Sequence, residues 1–316
     1  MPNNHPYKII PNRITKLGEN QIFVFGSNTE GKHGAGGALF ARQHCDAQYG
    51  NPQGLQGRSW GIITKDLSKG KCSIPLPQIK YQISEVINYA AAHPELEFLF
   101  SAIGCSLAGY SATKIGGLFA DIYLPPNIWL PQEFVDHLIE DKPTLRVVFI
   151  GNRRQKFKHP DIWNKTCSSI ALLVNRICER AVEWKYQRVE FYSGMALGVD
   201  TAVAEIVLEQ KNNPNIEVIL TAAVPCTNQD AKWKEGDQLK YHQLLSQAKC
   251  IKYVSNLPYQ EAGSFKCLDN RNKWMLSQLK GKPEHDAVIA IWDGQPGGTA
   301  NCLNNAMRLG HRVYDK

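Results

Sequence analysis

Residues 25–43, "FGSNTEGKHGAGGALFARQ", combine glycines with small polar side chains directly after an apolar run. Glycine allows left-handed backbone and close approach, so such a loop can turn its N–H groups toward an anion. The helical run that follows would add the positive end of its dipole. A second loop of the same kind, "GCSLAGYS" (residues 104–111), also sits between an apolar run and a helix. Two such loops on neighbouring strands could grip a diphosphate between them. Three side chains here could do chemistry. His33, close to glycines on both sides, could act as a general acid or base, or bind phosphate. Asp66, beside Lys65, could activate water at an anomeric carbon, and Asn28 completes the candidate catalytic set. The competing reading of His33 and Asp66 is a solvated loop residue. Cys105 reads as a small packing residue, because no base accompanies it nearby in sequence.

The second half carries further loops of this type: "GNRRQ" from Gly151, "SGMALGVDTAVAE" from Ser193, and "WDGQPGGTANCLNNAMRLG" from Trp292. Gly297, Gly298 and Thr299 open a helix, and a hydroxyl with free N–H groups at a helix N-terminus suits phosphate. Neither GxxxxGK[ST] nor a strict GxGxxG is present, which argues against a P-loop NTPase and a standard dinucleotide reader. No acidic residue lies between Asp293 and Asp315, so this helix brings no carboxylate to a bound ligand. Read from the residues alone, Asp200 could act in the manner of an N-cap at the start of its helix, and Arg271 could be a surface or interface charge.

These loops need a sheet to position them. Strands are expected at 21–25, 60–64, 97–103 and 127–131, with helices near 36–48, 79–92 and 112–121. A Pro-rich stretch and a short connector place a boundary near residue 141. Beyond it, strands at 146–151, 188–194, 217–225, 250–255, 286–294 and 311–315 alternate with helices at 161–184, 199–211, 230–248, 266–280 and 299–309. Continuous apolar strands separated by helices imply a parallel sheet covered on both faces, with ligands at the carboxyl ends of the strands. The expectation is two three-layer α/β/α domains, 1–140 and 141–316.

Composition narrows the function classes. The 316 residues carry a formal net charge of +7, with 25 Lys and Arg against 18 Asp and Glu in residues 141–316 and 11 against 11 before them. A basic half invites a nucleic-acid reading, yet the only tight basic group is Arg153, Arg154, Lys156 and Lys158, so a small phosphate-bearing ligand is favoured. Nine scattered cysteines without a CxxC pair suggest reduced thiols in a cytoplasmic chain. Neither a membrane span nor a secretory signal is visible, the histidines show no metal-ligand spacing, and no cofactor is expected.

Two family resemblances attach to these motifs. "FGSN…GKHGAGGA" followed by "IGCSLAGY" resembles a macrodomain of a divergent bacterial and phage branch, over roughly residues 20–131. The resemblance implies ADP-ribose held by Gly26, Ser27, Asn28, Gly34, Ala35, Gly36 and Gly37, and across from them by Gly104, Cys105, Ser106, Leu107, Ala108, Gly109 and Tyr110. In that scheme Asn28 and Tyr110 contact the distal ribose and residues 104–109 the phosphates. No clear adenine-reading Asp follows the first strand, which departs from the pattern. Residues 145–315 resemble the SLOG superfamily, nearest its YpsA-like branch, with Lonely Guy phosphoribohydrolases and DprA as more distant kin. That likeness implies a Rossmann-like sheet and a nucleotide-derived ligand lined by Gly151, Arg153, Ser193, Gly194, Asp200, Arg271, Gly297, Gly298 and Thr299. It also implies a homo-oligomer paired through helices flanking the pocket. Phosphoribohydrolase members carry a glutamate after their glycine motif, where this chain reads "PGGTANCLNN". The function expected is binding of ADP-ribose-type or other NAD-derived nucleotides, with sensing by the second half; whether the first half also hydrolyses its ligand, through Asp66, His33 and Asn28, stays open. The alternatives are a non-catalytic sensor or sequestering protein and, behind it, a DprA-like nucleic-acid-associated factor.

Overall fold

A computed structural model describes residues 5–157, 159–279 and 286–315; Lys158 of the basic group lies outside the described residues. The chain is an α/β protein whose strands are mostly parallel, and it divides into two compact units, Met1–Asp141 and Lys142–Lys316.

In the first unit the strands are β1 (Tyr7–Ile9), β2 (Gln21–Asn28), β3 (Gly54–Gln56), β4 (Ser59–Lys65), β5 (Glu97–Phe100) and β6 (Ile128–Leu130), in the order β1-β6-β5-β2-β4-β3. Only the β3–β4 pair is antiparallel. The core of β2 is apolar on both faces: Val24 and Phe25 are fully buried, and Val24 registers with Phe100 on one side and Trp60 on the other. This is the continuous apolar pattern that a doubly covered strand requires. The helices are α1 (Gly36–His44), α2 (Leu76–Ala92), α3 (Ala112–Gly116) and α4 (Gln132–Leu138). On α2, Ile79, Ile83, Val86, Ile87 and Ala90 form the buried face expected from their spacing. The end of the Pro-rich stretch and the first residues of the expected connector form α4. Pro131 precedes its first turn with backbone already set for helix entry, and Phe134 and Val135 anchor it in the core. The chain passes from β2 out to β4 and then crosses to β5. Because the three are parallel neighbours, the loops leaving them gather at the carboxyl end of these strands.

The second unit is parallel throughout. Its strands β7 (Thr144–Gly151), β8 (Arg188–Ser193), β9 (Glu217–Val224), β10 (Cys250–Tyr253), β11 (Ala287–Ile291) and β12 (Arg312–Asp315) lie in the order β12-β11-β7-β8-β9-β10. The helices are α5 (Pro160–Glu183), α6 (Val199–Glu209), α7 (Glu235–Gln247), α8 (Phe265–Ser277) and α9 (Gly298–Arg308). Alternate residues of β7 feed two cores. Val147 and Phe149 join Val174, Val203 and Leu244 from α5, α6 and α7, whereas Val148 and Ile150 join Met275 and Leu303 from α8 and α9. Helices thus cover both faces. The strand order reverses between β7 and β11, and in open sheets of this kind that gap is where a ligand can enter.

Candidate functional site

The second unit places a cleft of about 400 Å³ at this reversal, bordered by the loops after β7, β8 and β11. Two close approaches shape its floor. A Cβ on Gly151 would lie 2.4 Å from Val199 Cβ, so α6 seats against β7 only because residue 151 has no side chain. Gly198, with φ +117°, starts α6 where a Cβ would meet the Asn152 carbonyl oxygen at 2.5 Å. On the opposite wall Thr299 Oγ1 donates to the Gly151 carbonyl oxygen at 3.2 Å and lies 3.3 Å from Asn152 Oδ1. These contacts tie the start of α9 to the end of β7. No side chain caps α9, whose N-terminal N–H groups are preceded by Gly297.

Charge on the walls is mixed and organised. Arg153 lines the cleft from the β7 loop. Arg271, on α8, donates from Nη1 to the Gly194 carbonyl oxygen at 2.6 Å and stands 3.9 Å from the Asp200 carboxylate. Burial pushes the Asp200 carboxyl upward; Arg271 and the Ala196 N–H pull it back only in part. Lys156 pairs with Asp293 at 3.4 Å, and the Asn152 amide beside Asp293 is the main cause holding its carboxyl low. Three cations therefore face two carboxylates, and an anion entering near α9 meets net positive charge.

Gly151, Arg153, Asp200, Arg271, Gly297, Gly298 and Thr299 come together on this cleft. Ser193 and Gly194 stand behind it. Ser193 Oγ donates to the Asp200 carbonyl oxygen at 2.7 Å, and a Cβ on Gly194 would sit 2.7 Å from Arg271 Cζ. They position Asp200 and Arg271 instead of lining the wall. Asn152, Gln155 and Asp293 also border the cleft and were given no role from the sequence, and Lys156, which borders it too, was read only as part of the basic group. Asn152 and Gln155 lie within "GNRRQ", Lys156 directly follows it and Asp293 lies within "WDGQPGGT", so those motifs were the available signal.

The first unit has a smaller cleft of about 330 Å³ between the loops after β2, β4 and β5. Gly26, Ser27, Asn28, Gly34, Ala35, Gly36, Gly37, Gly104, Ser106, Leu107 and Ala108 line it. Nothing would obstruct a Cβ at Gly34 or Gly36, so the loop face is open, and α1 has no side-chain cap at its N-terminus. Asn28 spends its side chain on the loop: Oδ1 accepts from the Glu30 and Lys32 N–H groups, and Nδ2 donates to the Lys32 carbonyl oxygen.

Five of the expected residues lie off this cleft. His33 is fully buried, packs its ring on the Phe25 edge, and shares a 3.1 Å hydrogen bond between Nε2 and Ser27 Oγ. Burial, then the charge of Arg42, lowers its pKa, so the ring is a neutral core group and not a solvated loop residue. Asp66 turns back on its own loop, accepting from Ser68 and pairing with Lys69 at 3.0 Å; Ser68 first, then Lys69, holds its carboxyl at about 2. Cys105 donates to the Ile103 carbonyl oxygen, and burial pushes its thiol up to about 11. Gly109 is packed against the Lys71 side chain. Tyr110 points inward, where its hydroxyl donates to the Ile74 carbonyl oxygen and accepts from the Ile74 N–H. Its ring staples two loops together and does not face a ribose in the cleft.

Among the described residues no cluster of three or more His, Cys, Asp or Glu could hold a metal ion, and no helix is long and apolar enough to cross a membrane.

A parallel sheet covered by helices, with a polar cleft at its order reversal, defines a Rossmann-like α/β fold in the second unit. Residues 162–309 match the family described as the YspA SLOG family, YpsA. The uncharacterized SPbeta prophage-derived protein YoqJ of Bacillus subtilis is 31% identical over 140 residues, 41% of this chain and 77% of that protein. A UPF0398 protein of Brevibacillus brevis is 30% identical over 146 residues, 45% and 71% of the two chains. Another, from Halalkalibacterium halodurans, is 25% identical over 134 residues, 42% and 62%. Through its second unit the chain belongs to the YpsA SLOG family, a family implicated in nucleotide sensing.

Proposed function

We propose that the chain binds phosphorylated ribose nucleotides of the ADP-ribose type in two clefts, one in each unit, and serves as a nucleotide sensor. The observation that carries the reading is the cleft between β7 and β11. There the uncapped N-terminus of α9, Thr299, Arg153 and Arg271 converge where an open parallel sheet accepts phosphate. In the first unit, a macrodomain-like module, the open Gly34–Gly37 face and the Gly104–Ala108 loop border a single cleft, as a diphosphate grip requires. Binding without turnover is the favoured mode. Asp66 is committed to Ser68 and Lys69, His33 is sealed in the core, and α9 carries no carboxylate. A general base needs reach and a pKa near the working pH, and an Asp held at about 2 has neither. Clefts of 330 and 400 Å³ suit a small molecule better than a nucleic acid strand. The test is calorimetric titration of the full chain with ADP-ribose, followed by mass spectrometry of the mixture. Saturable heat with unaltered ligand is expected; altered ligand would make the chain a hydrolase, and no heat would remove ADP-ribose.

A further inference from the structure

We infer that the phosphate cleft of the second unit is half of a longer site, whose other half is an aromatic subsite for the base of a pyrophosphate-linked nucleotide. This rests on the nucleotide reading above and adds where the rest of the ligand goes. A second cleft of about 460 Å³ adjoins the first, and the two share Arg153, Gln155, Ala196, Leu268 and Arg271 as a common wall. Each is already within the range of small-molecule sites, roughly 300–1,000 Å³, so a mononucleotide does not need both. The two arginines stand at the junction, where a bridging pyrophosphate carries its charge.

Past that junction the lining changes character. Trp233, Tyr259 and Phe265 border the second cleft, with the Asn228, Gln229 and Gln260 amides among them. Aromatic faces with a few amides are what a heterocyclic base meets when it stacks and is read at its edge. Phe265 is 81% exposed although it begins a well-packed helix. Its backbone is held for that position: Gly263 and Ser264 both have left-handed φ, +85° and +51°. Tyr259 supports the ring edge-on at 6.5 Å, and Trp233 is braced by Tyr241 at 5.2 Å. Met195, one of five described non-glycine residues with left-handed φ, precedes Ala196 on the shared wall. Strained residues of this kind persist where the surroundings over-determine them, and they cluster at ligand clamps. Gln229 Nε2 donates to the Met195 carbonyl oxygen at 2.6 Å, and the buried Oε1 has no partner.

The test is photolabelling of the full chain with 8-azido-ADP-ribose, mapped by peptide mass spectrometry, with inorganic pyrophosphate as competitor. We expect second-unit adducts within residues 225–234 or 259–268, suppressed by pyrophosphate and reduced about tenfold in Phe265→Ala but not in Phe265→Tyr. Because Phe265 is exposed, neither variant disturbs the core. If pyrophosphate still raises the melting temperature in a manner lost on Thr299→Val, while those segments stay unlabelled, the aromatic subsite is overturned and the phosphate site stands. If those segments stay unlabelled and pyrophosphate gives no stabilisation, both fall.

Discussion

Replacing Arg271 by Met removes the guanidinium that pairs with the buried Asp200 carboxylate while keeping much of the side-chain volume. Arg271 and Asp200 are 3.9 Å apart, with side-chain exposures of only 11% and 8%. At an effective dielectric of about 20 that separation corresponds to about 4 kcal/mol of attraction. Part of it returns as the uncompensated Asp200 takes up water or a proton, so the expected net loss at pH 7 is about 3 kcal/mol. The pH dependence fixes the cause. Burial raises the Asp200 pKa in the folded chain above its ordinary 3.8, so folding favours the protonated form. A carboxyl shifted this way costs no stability below 3.8 and progressively more as pH rises through its folded value. Without Arg271 the shift grows. The variant's deficit should therefore be largest at pH 7 and shrink toward pH 5, and Asp200→Asn in the same chain should recover most of it. Urea unfolding followed by circular dichroism, at both pH values and for all four members of the cycle, measures this. An equal loss at pH 5 and 7 with no recovery by Asp200→Asn would refute the charge argument. It would leave the Arg271 hydrogen bond to Gly194 as the cause.

Other consequences follow from single contacts. Gly151→Ala drives a Cβ to 2.4 Å from Val199 and should cost about 1–3 kcal/mol, read as a lowered unfolding midpoint. Tyr110→Phe gives up both hydrogen bonds to Ile74 and should lose about 1–2 kcal/mol, yet leave ADP-ribose affinity within twofold by calorimetry. His33 has a folded pKa below its ordinary 6.5, so the unfolded chain takes the proton more readily. Stability from this group is present above 6.5 and lost as pH falls through that value, and His33→Gln should flatten that part of the pH–melting profile.

The alternation of strand and helix was legible because apolar runs and amphipathic stretches are local signals, and every long element lies within a few residues of its expected place. The three-residue strands β1 and β3 were not legible, since YKI and GLQ, unlike the equally short but wholly apolar IWL of β6, form no apolar run. Site residues divide the same way. Gly297, Gly298 and Thr299 announce themselves as a helix opening. The inward turn of Tyr110 depends on Ile74, 36 residues earlier, and no local pattern reports that. His33 reads as a loop residue among glycines, and only the packing of Phe25 and Ser27 around it makes it a core residue. The aromatic cleft was missed for a similar reason: Trp233, before α7, meets Tyr259 and Phe265, at the entry to α8, only in the fold.

The most direct test of nucleotide binding at the β7–β11 reversal is a crystal structure of the chain grown with ADP-ribose. Phosphate density is expected at the N-terminus of α9, within hydrogen-bond reach of the Gly298 and Thr299 N–H groups and the Arg153 guanidinium. A second unit that stays empty at saturating ligand, or phosphate density elsewhere in it, would contradict the claim.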